Sequence, residues 1–327
     1  MNYQLRPMNL GELLDRIAEL YRTNFLLFAG ISAIFSGVML LMQMLHLAAL
    51  ALLGYPNVAP RLQWAIAAAA VLEVSAVLLI AGLSIAANNR AVAWVHLGEP
   101  ATIRGAAASI RPRMGRYLWL MIVTAFRAWV PLAALYVAMF AVLLSVLPPG
   151  WLTNPALAQH PQIQNPSAFI AAGLSILILV PLFLLAAVYG ILMSLRYSLA
   201  VPACVVEELT AGESIKRSIH LSNGARGRIF VLGILVYAIR MILALLFGFP
   251  FIAFIFKHPG HALPLGLLAI QQVATFVVNT LIGPIYSTGL TLFYYDQRIR
   301  KEGFDIERMM HAAGLNPLTE LPSTQLS

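Results

Sequence analysis

The chain carries very little charge for its length. Of its 327 residues, 10% are Asp, Glu, Lys or Arg and 60% are hydrophobic, whereas soluble globular domains carry about 25% charged residues. A chain of this composition cannot form an ordinary polar surface, so lipid must solvate most of it. The low charge therefore excludes a soluble globular protein and predicts an integral membrane protein.

Cysteine and catalytic motifs are also scarce. The single cysteine, Cys204, has no partner for a disulfide within the chain,. The sequence contains no Gly-x-Ser-x-Gly elbow, no Walker phosphate loop and no dinucleotide fingerprint, and no histidines stand in metalloprotease spacing. We therefore expect a protein that is not an enzyme and that uses neither a cofactor nor a metal ion.

Six long apolar stretches are present instead. They cover residues 25–53, 62–87, 117–147, 168–195, 229–256 and 265–295. Each exceeds the roughly 18 residues that allow a helix to cross about 30 Å of hydrocarbon, and the alternating pattern of barrel strands is absent. The sequence predicts an all-α integral membrane fold, with one six-span domain over residues 1–305 and a flexible cytoplasmic tail over 306–327.

The basic residues are confined to one side of these stretches. Seventeen of the 21 Lys and Arg residues lie within 6–22, 88–116, 196–228 and 298–308, and the connections on the other side contain two. Because cytoplasmic loops carry the excess of Lys and Arg, we expect both termini to be cytoplasmic. Arg outnumbers Lys eighteen to three, a usage common in GC-rich bacterial genomes, so the expected location is a bacterial inner membrane.

These basic segments border membrane spans, which favours anionic membrane lipids rather than nucleic acid as the partner. The sequence specifies no protein partner.

Short helices are predicted before three of the spans. Asn9 precedes Glu12, and Thr210 precedes Glu213, in the spacing of a capping box, which starts a helix,. The first helix has an apolar face, so we expect it either to lie in the membrane interface or to extend the first span. Residues 11–16 and 212–217 match each other at Gly, Glu and Arg, and a fainter match occurs near Ser109. The pattern predicts three units, each made of a short helix and a membrane hairpin.

Three ionisable residues lie deep within the apolar stretches: Glu73, Arg127 and Arg240. A charge at that depth costs at least about 2.5 kcal/mol and normally finds a partner inside the protein. We expect either an ion pair between Glu73 and an arginine, or a site for an anionic headgroup or solute. A pair with Glu73 would neutralise only one arginine.

Prolines interrupt the last four spans. Pro131 removes the helical hydrogen bond to the Arg127 carbonyl, and we expect a kink there whose opened backbone could bind a guanidinium. Pro181, Pro250 and Pro284 are expected to break the other spans similarly. Gln271, Gln272 and Asn279 in the last span are expected to be interhelical hydrogen-bond partners rather than ligands,.

Three stretches of the sequence together carry a family resemblance: residues 5–16, 199–203 and 294–305. With them the chain resembles the bacterial six-span family named for the membrane domain of glycerophosphoryl diester phosphodiesterase. That name comes from members fused to a soluble barrel that hydrolyses glycerophosphodiesters. The barrel and its metal ligands are absent from this sequence, so its hydrolase activity does not carry over. The resemblance implies a bacterial inner-membrane protein near lipid or envelope metabolism.

The C-terminal stretch of this set has a physical interpretation of its own. Tyr294 and Tyr295 are expected to anchor the last span at the interface, and Arg298, Arg300 and Lys301 to meet anionic headgroups. The alternative for these five residues is a docking surface for a cytoplasmic partner.

These observations lead to three functional hypotheses. The first is a non-enzymatic, lipid-interacting scaffold or accessory factor in envelope or lipid metabolism. The alternative is a transporter or flippase that binds an anionic headgroup or solute at the mid-membrane arginines, and the third is a membrane-embedded lipid hydrolase. A scaffold should have its arginines sealed in ion pairs, whereas a transporter needs a polar cavity that reaches them.

Overall fold

The computed structural model describes residues 6–146 and 166–312, and these ranges contain helices but no strand. In chain order the helices are α1 (Leu10–Thr23), α2 (Phe25–Leu52), α3 (Pro60–His96), α4 (Ile103–Ile110), α5 (Met114–Val146), α6 (Pro166–Tyr197), α7 (Ala200–Val206), α8 (Ala211–Ser222), α9 (Arg226–Lys257), α10 (Leu265–Glu302) and α11 (Phe304–Ala312), with a 3₁₀ turn at Arg111–Arg113.

Six of these helices (α2, α3, α5, α6, α9 and α10) are long and apolar enough to cross a membrane. The predicted all-α, six-span fold is therefore confirmed. Helices α3 and α10 continue well past their predicted boundaries, to His96 and Glu302. The predicted flexible tail begins instead with helix α11, and its residues 313–327 lie outside the described ranges.

The long helices form the pairs α2–α3, α5–α6 and α9–α10, preceded by the short helices α1, α4 and α8. The short helices pack together with one end of the long ones. We call this end, which carries the basic segments, the basic end, and the other the opposite end.

Capping fixes where the short helices begin. The Asn9 side chain accepts the Glu12 N–H at 2.8 Å, and the Glu12 carboxylate accepts the Asn9 N–H at 2.9 Å. Thr210 and Glu213 form the same reciprocal arrangement at the start of α8. Both predicted capping boxes are confirmed. Each box satisfies backbone N–H groups that the first helical turn leaves without a partner.

The core of the protein lies at the basic end. The largest fully buried side chains include Tyr117, Tyr294, Tyr295, Phe28 and Phe293. In the most apolar part of each span, by contrast, at most 33% of the residues are buried. Packing within the protein is thus concentrated at the basic end, and the spans present mainly apolar side chains to lipid.

Helix α1 belongs to this core. Leu13 and Ile17 are buried in one cluster with Leu232 of α9 and Leu290 of α10. A Cβ atom on Gly289 would lie 2.4 Å from Leu232 Cδ2 and 3.2 Å from Ile17 Cδ1, so glycine at this position permits the close approach of α1 and α9 to α10. The predicted amphipathic helix is thus present; it ends at Thr23, next to the start of α2, and its apolar face packs within the protein.

The prolines do not break their spans. Helices α5, α6, α9 and α10 each continue through an internal proline, because proline keeps a helical φ and removes only one backbone hydrogen bond. The Arg127 carbonyl, which Pro131 deprives of its helical donor, lies 3.5 Å from the Tyr189 hydroxyl of α6. A tyrosine rather than a guanidinium therefore occupies that position.

Polar side chains set the rotation of α10 against its neighbours. Ser36 of α2 and Thr280 of α10 are hydrogen-bonded at 2.7 Å, and Thr291 of α10 donates to Asn89 of α3 at 3.1 Å. Hydrogen bonds of this kind hold helices together in lipid, where water offers no alternative partner. With this face of α10 turned towards α2 and α3, another face is left towards α9.

Candidate functional site

A cavity of about 430 Å³ lies between α9 and α10 within the apolar part of the bundle. We call it the Arg240 cavity, because the Arg240 side chain lines it near the middle of α9. Its lining is Tyr237, Arg240, Met241, Leu243, Ala244, Phe247, Gly248, Gln271, Ala274, Thr275, Val278 and Asn279. The volume is within the range of about 300–1,000 Å³ that is usual for small-molecule sites.

Arg240 is not sealed in an ion pair. Its Nη2 donates to Asn279 Oδ1 on α10, and within the described ranges no carboxylate lies within ion-pair distance of it. An amide oxygen orients a guanidinium but brings no negative charge. The cavity thus holds a positive charge with donors still available for an anion.

Further polar groups extend from Arg240 towards the opposite end. Gln271, Thr275 and Asn279 stand four residues apart, on one face of α10, and all three line the cavity,. Eight residues of helix span about 12 Å. Thr275 Oγ1 donates to the Gln271 carbonyl at 2.9 Å, so its lone pairs can still accept a hydrogen bond. The cavity has a polar wall that begins at a cation.

The remaining lining is apolar and locally small. Ala244, Gly248 and Ala274 leave room between the two helices, and Met241 and Phe247 add hydrocarbon and aromatic surface. Tyr237 is 65% exposed, on a surface that lies within the membrane span. A cation, polar groups and apolar walls in one cavity suit a molecule with an anionic head and a hydrocarbon part.

Glu73 has a different partner from the one expected. His46 Nδ1 of α2 lies 2.8 Å from Glu73 Oε2 of α3, and both side chains are largely buried. The predicted pair between Glu73 and an arginine is therefore not formed. The antiparallel packing of α2 and α3 brings His46 and Glu73 to the same depth, and each satisfies the other.

Arg127 lies apart from both of these sites. Its side chain is exposed on α5, and its guanidinium makes no hydrogen bond or ion pair with the residues for which the structure gives side chains. The three mid-membrane residues are thus held by different helices, and the structure does not bring them together. Arg240 is the one that lines the α9–α10 cavity.

The predicted interfacial anchors at the end of α10 are inside the protein. Tyr294 and Tyr295 are 0% exposed. The Tyr294 hydroxyl donates to the Glu207 carboxylate, which also accepts from Arg217 at 2.7 Å and lies 3.6 Å from Arg298. With Glu302, which pairs with both arginines, these residues form what we call the Glu207 cluster. Its two acids and two arginines balance in charge.

A second cluster surrounds Asp296, which is 0% exposed. Its carboxylate accepts from Arg228 at 3.2 Å, from Arg300 at 3.0 Å and from the Met8 N–H at 2.9 Å. Both arginines also donate to the Met8 carbonyl. We call this group the Asp296 cluster.

Lys301 also has partners within the protein. Its Nζ donates to the carbonyls of His220 and Asn223, at the end of α8. Arg298, Arg300 and Lys301 therefore all have partners within the protein: acids of α10 itself, Glu207, and carbonyls at the end of α8.

The electrostatics of the basic end favour the charged forms of Glu208 and Arg217. A hydrogen bond from Arg113, aided by the charge of Arg90, holds the pKa of the Glu208 carboxyl below its usual value despite some desolvation. Partial burial alone would lower the pKa of Arg217, but its hydrogen bonds to Glu302 and Glu207 raise it above the usual value.

Sequence reasoning missed the residues that complete these contacts. Asp296 with Arg300, and Arg298 with Glu302, stand four residues apart on one helix, a spacing that marks ion pairs. Glu207 carries no such local signal, because its partners come from distant parts of the chain. The expected hydrogen-bonding role of Asn279 is confirmed, and its partner is Arg240.

These features define a class of protein. Six membrane-spanning helices, with short helices and charged clusters packed at one end, make this a multi-pass helical membrane protein. Residues 8–297 match the family model described as Domain of unknown function (DUF7847), and the chain belongs to that family. Comparisons with curated proteins and with solved structures give no match.

Proposed function

We propose that this protein is a non-enzymatic, lipid-binding accessory factor of a bacterial inner membrane, which holds an anionic lipid at the Arg240 cavity. The single observation that carries the proposal is the position of Arg240, a mid-membrane cation in a cavity, bound to an amide and not to a carboxylate.

The physical argument starts from the cost of that charge. An arginine at the centre of a bilayer costs about 2.5–3.5 kcal/mol on the insertion scale, and it normally faces a polar partner or an aqueous cavity. Asn279 supplies orientation without charge. An anion bound to the remaining guanidinium donors would neutralise the site. The apolar walls around Met241 and Phe247 favour an anion that carries hydrocarbon, and the bilayer supplies one,.

The proposed orientation places both termini in the cytoplasm. The excess of Lys and Arg at the basic end supports it. Arg22, Arg104, Arg111 and Lys216 are exposed there, and none forms an ion pair with another described residue. These four residues are therefore available to anionic headgroups. The resemblance to the glycerophosphodiester phosphodiesterase membrane-domain family fits a role near lipid metabolism.

Purified protein tests the proposal. We would add dioleoyl phosphatidylglycerol to the detergent-solubilised protein and count bound lipids by native mass spectrometry. Arg240→Leu should lose the most tightly bound lipid. Arg127→Leu should retain it, because this substitution removes an equivalent mid-membrane charge that lies outside the cavity. Circular dichroism would confirm that both variants fold. Equal lipid retention in Arg240→Leu and the unmodified protein would overturn the proposal.

A transporter or flippase is the second candidate. The absence of a described carboxylate partner for Arg240 and the polar wall of the cavity favour it over a scaffold whose arginines are all in ion pairs. Gln271, Thr275 and Asn279 offer a series of polar positions from mid-membrane towards the opposite end. The densely packed basic end argues against movement through the whole bundle. A dithionite assay with fluorescent phosphatidylglycerol in proteoliposomes separates the two: an accessory factor leaves the rate of lipid crossing at that of empty liposomes, and a flippase raises it.

A further inference from the structure

The polar groups of the Arg240 cavity also restrict the headgroup that it can take. We infer that the cavity selects a lipid with a singly charged phosphodiester and a neutral, hydroxyl-bearing headgroup, the phosphate lying at Arg240 and the hydroxyls at Thr275 and Gln271. This inference rests on the proposed function and specifies its ligand.

The first step is the charge of the lining. Among the twelve residues that line the cavity, Arg240 is the one charged side chain. A phosphodiester carries one negative charge and brings the site to neutrality. A terminal phosphate monoester carries about −1.5 to −2, which would leave uncompensated negative charge in a low-dielectric region. The charge count therefore favours a diester over a monoester.

The same count disfavours zwitterionic lipids. A headgroup with an ammonium brings a second cation beside Arg240, and the lining has no carboxylate to receive it. The Asn279 oxygen, which could accept from an ammonium, already accepts from Arg240. The phosphate of a zwitterionic lipid would neutralise Arg240, but its ammonium would then remain in the cavity without a counterion,.

The second step is the length of the polar wall. Thr275 and Gln271 lie one and two helical turns beyond Asn279, which is about 6 and 12 Å along α10. A fatty-acid carboxylate would end at Arg240 and would leave both side chains without a partner. Within the described part of the chain, the Gln271 side-chain amide has no hydrogen-bond partner and the Thr275 hydroxyl donates only to the Gln271 carbonyl. A headgroup hydroxyl beyond the phosphate can bond Thr275, and the Gln271 side chain, four residues away on the same face, can reach towards the same position,.

Two lipids with equal charge test this inference directly. Dioleoyl phosphatidylglycerol and dioleoyl phosphatidylmethanol are both singly charged phosphodiesters, but only the first has headgroup hydroxyls. Native mass spectrometry of the full chain should show about 3- to 10-fold tighter binding of phosphatidylglycerol, the effect of one or two neutral hydrogen bonds. Dioleoyl phosphatidic acid and dioleoyl phosphatidylethanolamine should bind more weakly than either.

Variants of the polar wall separate the possible outcomes. The double variant Gln271→Leu/Thr275→Val should bind the two diesters equally, with the affinity for phosphatidylmethanol unchanged. Gln272→Leu is the matched control, because Gln272 neighbours Gln271 but does not line the cavity. It should keep the preference for phosphatidylglycerol over phosphatidylmethanol.

Equal binding of the two diesters by the unmodified protein would overturn the role of the hydroxyls, and tighter binding of phosphatidic acid would overturn the charge count. Loss of every lipid preference in Arg240→Leu supports the underlying proposal, and unchanged binding in that variant refutes it independently.

Discussion

The basic end and the membrane half of this protein are stabilised in different ways. At the basic end, buried aromatic rings surround carboxylates that each hold two or more partners, as Asp296 and Glu207 do. In the membrane half, interhelical polar contacts are isolated pairs, such as His46 with Glu73 and Arg240 with Asn279. The spans there expose most of their apolar surface to lipid.

The difference follows from the solvent around each region. Outside the bilayer, burial of apolar groups from water drives packing, and a buried ion must be fully paired. Lipid tails are as apolar as leucine, so burial gives little driving force between spans, and packing and single hydrogen bonds hold them instead. We conclude that the basic end determines how the helices are arranged, whereas the membrane half leaves space for a ligand.

The largest effect should come from Asp296. Asp296→Ala leaves Arg228 and Arg300 without their buried counterion, so we expect a loss of about 3–5 kcal/mol in the free energy of unfolding. Denaturant unfolding of the purified protein in detergent measures it. Asp15→Ala removes an exposed acid without an ion pair to a described residue and should change stability little. A loss below 1 kcal/mol for Asp296→Ala would contradict the importance of the Asp296 cluster.

Gly289→Ala should be next in size. Its new Cβ would overlap Leu232 and crowd Ile17, and overpacking of this kind costs about 1–3 kcal/mol. Gly283→Ala on the same helix is the control, since its Cβ would meet nothing closer than Ser32 Oγ at 3.8 Å. The control should be neutral or slightly stabilising, because alanine favours helix. Equal stabilities for the two variants would show that α1 and α9 do not pack closely on α10.

A smaller effect is expected in the membrane half. Glu73→Gln should cost about 1 kcal/mol, because interhelical hydrogen bonds between spans average about 0.6 and reach about 1.7 kcal/mol. Adding His46→Ala to form a double-mutant cycle should give a coupling energy of similar size. Ser75→Ala is the control, since Ser75 bonds within its own helix. A cost as large as that of Asp296→Ala would remove the contrast between the two regions.

The smallest expected effect is a dependence on pH at the surface of the basic end. The folded pKa of Glu208 is depressed, first by its hydrogen bond from Arg113, so its contribution is present above the unfolded value near 4.5 and is lost as pH falls through the folded value. Since Glu208 is half exposed, we expect less than about 1 kcal/mol. Thermal unfolding at pH 7 and pH 4 should show a smaller acid destabilisation in Glu208→Gln. Identical pH profiles would exclude this contribution.

Local patterns explain what could be predicted from the sequence. The six spans follow from uninterrupted apolar length, and the helix starts at Asn9 and Thr210 follow from a four-residue capping pattern. Both signals lie within one element. The His46–Glu73 pair and the burial of Tyr294 and Tyr295 depend on which helices are neighbours, and no local pattern determines that.

The candidate site was predictable only in part. Arg240 could be identified by its depth, and the spacing of Gln271, Thr275 and Asn279 is visible in the sequence. The cavity itself requires that Ala244 and Gly248 of α9 face Ala274 of α10, which is a property of the packed pair. Arg127 has the same depth and the same residue type, yet it lines no such cavity among those the structure describes.

The contact between Met8 and Asp296 has a consequence for biogenesis. The Met8 backbone is held by a residue 288 positions further along the chain. A ribosome therefore releases the first few residues long before it makes the carboxylate that receives them. The N-terminal segment can dock on Asp296 only after the sixth span has been synthesised, so the basic end is completed last.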